Sequence, residues 1–123
     1  MSEYGVLLVS HVSQIVEGLS RLLKEVAADV PITLAGGTED DGVGSSFDKI
    51  QKAVDENSAE KLLAFYDIGS SKMNLEMVIE TSEKPITLFD TAFIESAYTA
   101  SALLQAKVPI EEIKKQLNEL KIK

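Results

Sequence analysis

Four short apolar runs alternate along this chain with longer segments whose apolar residues recur every three or four positions, and that alternation limits the fold more than any single residue does. The first run, Val6-Leu7-Leu8-Val9, has no polar member and is bounded by Gly5 and Ser10. An unbroken apolar run of this length is the mark of a strand buried on both faces, as in a parallel sheet. It is followed by Ile15, Val16, Leu19, Leu22, Leu23 and Val26, whose spacing predicts an amphipathic helix over Val12 to Ala28 with these residues inward. The pattern repeats with strands at Pro31 to Ala35, Lys61 to Tyr66 and Pro85 to Phe89. Between them stand helices from a cap at Ser45 or Ser46 to Asn57, with Phe47, Ile50 and Val54 inward, and from Ser71 to Thr81. Two helices close the order: Thr91 to Lys107, and a last one opened by Pro109 as its first residue and carrying Ile110, Ile113, Leu117 and Leu120.

Strands that alternate with helices call for right-handed crossovers and a sheet covered on both faces. The expectation is therefore an α/β fold: one domain over residues 1–123, doubly wound and flavodoxin-like, with a mainly parallel four-stranded sheet in the order 2-1-3-4. A chain of 123 residues suits one core. In such sheets chemistry collects beyond the carboxyl ends of the strands, where the strand order reverses. His11, the glycine-rich stretch Gly36 to Gly44, read as a long mobile loop, and Asp67 all follow strand ends. The chain has no cysteine, no basic leader ahead of its first apolar run and no run long enough for a bilayer, so a cytoplasmic protein away from the membrane is expected. A net charge of −8 argues against nucleic acid as a partner.

His11 is the only histidine, and it stands at the start of a helix, where free amides attract an anion. A neutral imidazole is a nucleophile, and a phosphoryl group on it would lie near the amides of Val12, Ser13 and Gln14 with the Ser10 and Ser13 hydroxyls as further donors. An acidic neighbour fixes the tautomer and stabilises positive charge as the second nitrogen attacks, and Asp67 is the natural choice. Both residues have plainer uses, a lone histidine as a surface or capping group and an aspartate before Gly-Ser as a helix cap. The glycine stretch matches neither phosphate-loop nor dinucleotide spacing. Met73 and Met77, one turn apart, suit a core or, if exposed, a docking face.

Together, Gly5 to Val12, Gly36-Gly37-Thr38 and Asp67 to Asn74 resemble the mannose-type IIA phosphocarriers of the phosphoenolpyruvate-dependent phosphotransferase system (PTS), in order and in spacing. The segment Asp67 to Met77 is most similar to the phosphotransferase subunits of bacterial dihydroxyacetone kinase. The resemblance implies a homodimer whose His11 takes a phosphoryl group on Nε2 from the histidine-containing phosphocarrier protein HPr, with Asp67 on the other side of the ring. It implies transfer to ADP bound on the kinase's nucleotide subunit, DhaL, so that this chain holds no cofactor and no metal, only a transient phosphohistidine. By the same resemblance Gly36, Gly37, Thr38, Gly69 and Ser70 line the phosphoryl group, and Met73, Asn74 and Met77 meet partners.

The alternative with the same chemistry is a sugar-transport IIA domain that passes phosphate to a IIB unit of a permease. A receiver-type domain phosphorylated on aspartate shares the strand and helix order, but the acidic cluster it needs after strand one is replaced by Ser10-His11. A non-catalytic interaction module would tolerate loss of His11 without consequence.

Overall fold

In the computed structural model, which describes residues 3–123, the elements run β1 (Tyr4–Ser10), α1 (Ser13–Val26), β2 (Ile32–Gly36), α2 (Phe47–Glu56), β3 (Lys61–Tyr66), α3 (Ser70–Thr81), β4 (Ile86–Phe89), α4 (Phe93–Gln105) and α5 (Ile110–Asn118). The four strands form one parallel sheet in the order β2-β1-β3-β4. That is the expected doubly wound arrangement.

The reason β1 reads as one apolar run is visible in its packing. Val6 and Leu8 point into the layer made with α1, α4 and α5, beside Val16, Leu19, Leu23, Ala97, Ala100, Ile113 and Leu117. Leu7 and Val9 point the other way, beside Ile50, Ala53 and Val54 of α2 and Leu75 and Val78 of α3. All four are fully buried, which at about 1.5–3 kcal/mol per large apolar side chain makes this strand the centre of the hydrophobic stabilisation.

The expected helices are present with shifted ends and two changes of face. Ile15 and Leu22 of α1, expected inward, are 42% and 46% exposed. The helix seats a narrow stripe of Val16, Leu19 and Leu23, leaving its flanking apolar residues in solvent. Ser46 caps α2, its hydroxyl accepting from the Lys49 amide at 3.2 Å. Pro109 is not the first residue of α5 but its cap, with ψ at 142°, and Ile110 begins the helix. Beyond α4, Lys107 takes a φ of 62°, the left-handed closure more often given to glycine.

The stretch expected as a mobile loop is a closed turn. The Thr38 amide donates to the Gly42 carbonyl at 3.0 Å, the Asp41 amide to the Thr38 carbonyl at 2.9 Å, and the Gly42 amide to Thr38 Oγ1 at 2.8 Å. Its far end is tied to the site by the Gly44 amide on the His11 carbonyl, 2.9 Å, and by Asn74 Nδ2 donating to Ser45 Oγ, 2.8 Å.

Candidate active site

Parallel pairing sets Val9 beside Tyr66, so the residues that follow β1 and β3 leave the sheet together at the reversal of strand order. His11 follows the first and Asp67 the second, and the Asp67 amide still donates to the Val9 carbonyl at 3.2 Å. The two side chains, 56 positions apart in sequence, meet with His11 Nδ1 3.0 Å from Asp67 Oδ1. The carboxylate is also on the His11 backbone, accepting that amide on Oδ2 at 3.0 Å.

Three more donors converge on it: Ser10 Oγ on Oδ2 at 2.8 Å, the Ile68 amide on Oδ1 at 2.7 Å, and Ser71 Oγ on Oδ1 at 3.3 Å. Burial opposes the charge of Asp67, but the hydrogen bonds from the His11 amide and ring, from Ser10 and from Ile68 outweigh it and hold the carboxyl below its ordinary value. An anion beside Nδ1 fixes that nitrogen as the N–H donor and leaves the lone pair on Nε2. Nε2 faces Ser70 Oγ in a close contact.

Ser70 is the first residue of α3, and Gly69 is its cap, without a side chain to satisfy the amides of the first turn. No protein carbonyl accepts from the amides of Gly69 or Ser70 among the bonds of the described residues. Nε2 therefore points at an open helix N-terminus, an anion-binding arrangement. A Cβ on Gly69 would meet nothing within 4 Å, so the space over this turn is clear.

At the start of α1, where the sequence put the anion, the amides of Ser13 and Gln14 likewise have no protein carbonyl among the bonds of the described residues, whereas that of Val12 and the Ser10 hydroxyl are engaged. The Val12 amide is occupied by Ser10 Oγ at 3.2 Å, and the Ser10 hydroxyl, fully buried, belongs to Asp67. Both groups are engaged within the protein. Ser13 Oγ donates to Gln14 Oε1 at 3.3 Å. Gly37 and Thr38 donate their amides to the carbonyls of Ser10 and Gly42, so they do not offer them to an anion either.

Gly36 has a packing role: a Cβ there would fall 2.6 Å from Val16 Cγ2 and 2.7 Å from Ser13 Cα, so glycine is what lets α1 lie on the end of β2. Gly37 takes a φ of 77° at the turn into the loop. Asn74, expected at a docking face, donates its side-chain amide to Ser45 Oγ.

Met73 and Met77 are 70% and 50% exposed, so neither fills the core. Ile68, in the turn that carries Asp67, is 59% exposed. A cluster that sequence reasoning missed stands behind the turn: Tyr66 donates its hydroxyl to Asp90 Oδ1 at 2.6 Å, and Lys72 Nζ is 2.8 Å from the same oxygen. The spacing of these residues carried no signal because β3, α3 and β4 had first to be put side by side.

A cleft of about 630 Å³ is lined by Glu3, Tyr4, Asp29, Leu104, Lys107 and Pro109 among others, at the amino end of β1 and away from His11. His11 does not line this cleft, and its side chain is 12% exposed. No helix among the described residues is long and apolar enough to cross a membrane.

Comparison with known proteins agrees with this geometry. Residues 5–114 match the family model EIIA-man, described as the PTS system fructose IIA component. The chain is 46% identical over 119 residues to the phosphotransferase subunit DhaM of the PTS-dependent dihydroxyacetone kinase of Lactococcus lactis, covering 97% of each chain. It is 45% identical over 120 residues to the phosphoryl donor subunit DhaM of dihydroxyacetone kinase 1 of Listeria innocua, covering 98% of this chain and 97% of that one. A crystal structure of a protein of unknown function superposes with a TM-score of 0.86 at 25% identity, over 100% of this chain and 98% of the other. A strand-end histidine on a flavodoxin-like sheet, a family match over most of the chain and full-length relatives agree, and the chain belongs to the EIIA-man family of PTS IIA components.

Proposed function

We propose that this chain is the phosphotransferase subunit of a phosphoenolpyruvate-dependent dihydroxyacetone kinase, carrying a phosphoryl group on Nε2 of His11. The observation that carries the reading is the imidazole held between two groups of one turn, Asp67 on Nδ1 and Ser70 at Nε2. HPr phosphorylated on histidine is the donor and ADP on the nucleotide subunit DhaL is the acceptor, with the chain acting as a homodimer in the cytoplasm. The near-full-length likeness to DhaM subunits favours this partner set over a sugar permease.

In the first transfer, the Nε2 lone pair attacks phosphorus as the bond to the donor nitrogen breaks, and the donor keeps the electron pair. The proton stays on Nδ1, donated in a hydrogen bond to Asp67 throughout, so the positive character gained by the ring is met by a carboxylate at 3.0 Å. The Ser70 hydroxyl swings from Nε2 to a phosphoryl oxygen, where the amides of Gly69 and Ser70 add the positive end of α3. The reverse motion releases the group to the terminal oxygen of ADP. A loose transition state asks mainly for alignment and charge stabilisation, which this set supplies.

The test is intact mass of the wild type and His11→Ala after incubation with phosphoenolpyruvate, Enzyme I and HPr, followed by the ADP-loaded nucleotide subunit. Wild type alone should gain one phosphoryl group and lose it to that subunit. Charging without discharge would move the chain to sugar transport, and no charging would end both readings.

A further inference from the structure

We propose that Lys123 is a positioning residue for the phosphoryl site, clamping the turn that holds the imidazole from both sides. This rests on the reading of His11 as the phosphoryl carrier. Asp67, the first residue after β3, and Ser70, the first of α3, hold the two ring nitrogens and stand three positions apart, so the alignment of the ring depends on how firmly that one turn is held.

The last residues come back to it from across the sheet. Thr91 pairs with Lys121 in an antiparallel bridge, and the amides of Ile122 and Lys123 both donate to the Asp90 carbonyl, at 3.2 and 3.3 Å. This lays Lys123 against β3. Its ammonium donates to the Tyr66 carbonyl at 2.6 Å and the Asp67 carbonyl at 3.1 Å, and sits 4.0 Å from the centre of the Tyr66 ring.

Those two carbonyls belong to the residues where the strand gives way to the turn. Charge-assisted bonds to both fix the peptide that presents the Asp67 carboxylate. The ring under the ammonium is itself pinned by Asp90, which Lys72 holds from α3. Lys123, Tyr66, Asp90 and Lys72 thus brace the two ends of the turn, and of these four side chains Lys123 is the one bonded to the backbone of Asp67.

The cost of a loose brace falls on the tautomer. When Asp67 drifts from Nδ1, the ring moves toward the form protonated on Nε2, which cannot attack phosphorus. The experiment is 15N NMR of the ring together with the rate of phosphoryl uptake from HPr, in wild type, Lys123→Met and Lys123→Arg. His11 is the only histidine, so its ring signals need no assignment.

Lys123→Met should shift the ring toward the Nε2-protonated form and slow uptake roughly tenfold, while Lys123→Arg, which keeps charge and donors, should stay near wild type in both. Wild-type tautomer and rate in Lys123→Met overturn the proposal. So does a Lys123→Arg protein as impaired as Lys123→Met, because the loss then follows shape and not charge. If wild type itself takes no phosphoryl group on His11, the carrier reading fails, and the tautomer shift still decides the role of Lys123 separately.

Discussion

Asp67→Asn is the substitution on which the site makes its sharpest demand. The carboxylate accepts five hydrogen bonds and gives none: Oδ2 takes Ser10 Oγ and the His11 amide, and Oδ1 takes His11 Nδ1, the Ile68 amide and Ser71 Oγ. An asparagine must put its NH2 group at one of these two places. At Oδ2 it faces the His11 amide, and at Oδ1 the Ile68 amide; a backbone N–H cannot turn round to accept. Either way one donor is left against a donor in a part-buried site, at a cost of about 1–3 kcal/mol, or a melting temperature lower by roughly 4–12 °C.

The chemical loss is larger. With NH2 at Oδ1, Nδ1 has to accept, the proton goes to Nε2, and the nucleophile is gone. With NH2 at Oδ2 the tautomer survives but the charge that meets the developing positive ring does not. We expect the phosphoryl uptake rate from HPr to fall roughly 10²–10⁴-fold, read by single-turnover mass spectrometry beside a thermal melt. An Asp67→Asn protein that charges at the wild-type rate would refute the assignment of Asp67. One that melts at the wild-type temperature would refute the hydrogen-bond argument.

Three further outcomes follow from the same geometry. Asp67 and Asp90 are both held below the ordinary carboxyl value: burial opposes this in each, while the His11 and Ser10 bonds for the first and Lys72 and Tyr66 for the second prevail. Their contribution to stability is therefore complete above the ordinary value and is lost as pH falls through the lower folded value, so urea midpoints should hold from pH 7 to about 5 and drop below about 4. That acid loss should be smaller in Asp90→Asn, and an unchanged slope would count against the Lys72–Asp90–Tyr66 set. Gly36→Ala puts a methyl 2.7 Å from Ser13 Cα and 3.0 Å from the Val12 carbonyl, which no rotamer relieves, so it should destabilise by about 1–3 kcal/mol in a denaturant titration; an unaltered midpoint would mean that α1 is not seated as described. Replacing the exposed Met73 and Met77 by aspartate should raise KM for HPr or the nucleotide subunit about tenfold with melting temperature unchanged, and an unmoved KM would remove this face from the docking surface.

How much of this was legible beforehand differs from residue to residue. Val6 to Val9 could be placed because a strand covered on both faces leaves no polar position, and the run of four said so without help from its neighbours. The capping of α2 was readable only as a pair of serines. Ser46 takes the Lys49 amide and Ser45 is left for Asn74, a choice made by where α3 lies. The exposure of Ile15 and Leu22 was hidden for a related reason: helical spacing shows that a face is apolar but not how wide a strip its neighbours cover.

His11 and Asp67 were found from their addresses at strand ends, which depend on strand pattern and strand order, and both are local enough to read from the chain. The surrounding donors were legible only in part, Gly69 and Ser70 through the family resemblance and not from spacing. Ser10 and Val12 looked available because they flank the histidine, yet one turns inward to Asp67 and the other satisfies Ser10. The open amides beside Nε2 belong to α3, some sixty residues later, and Lys123 reaches the same turn from beyond α5. Hydrophobic periodicity is a property of consecutive residues, so the sequence by itself determined the elements, the sheet order and the strand-end address of His11. Which polar groups point at it is set by side-by-side pairing of β1 with β3 and by direction at each strand's end, and only the tertiary structure decided that.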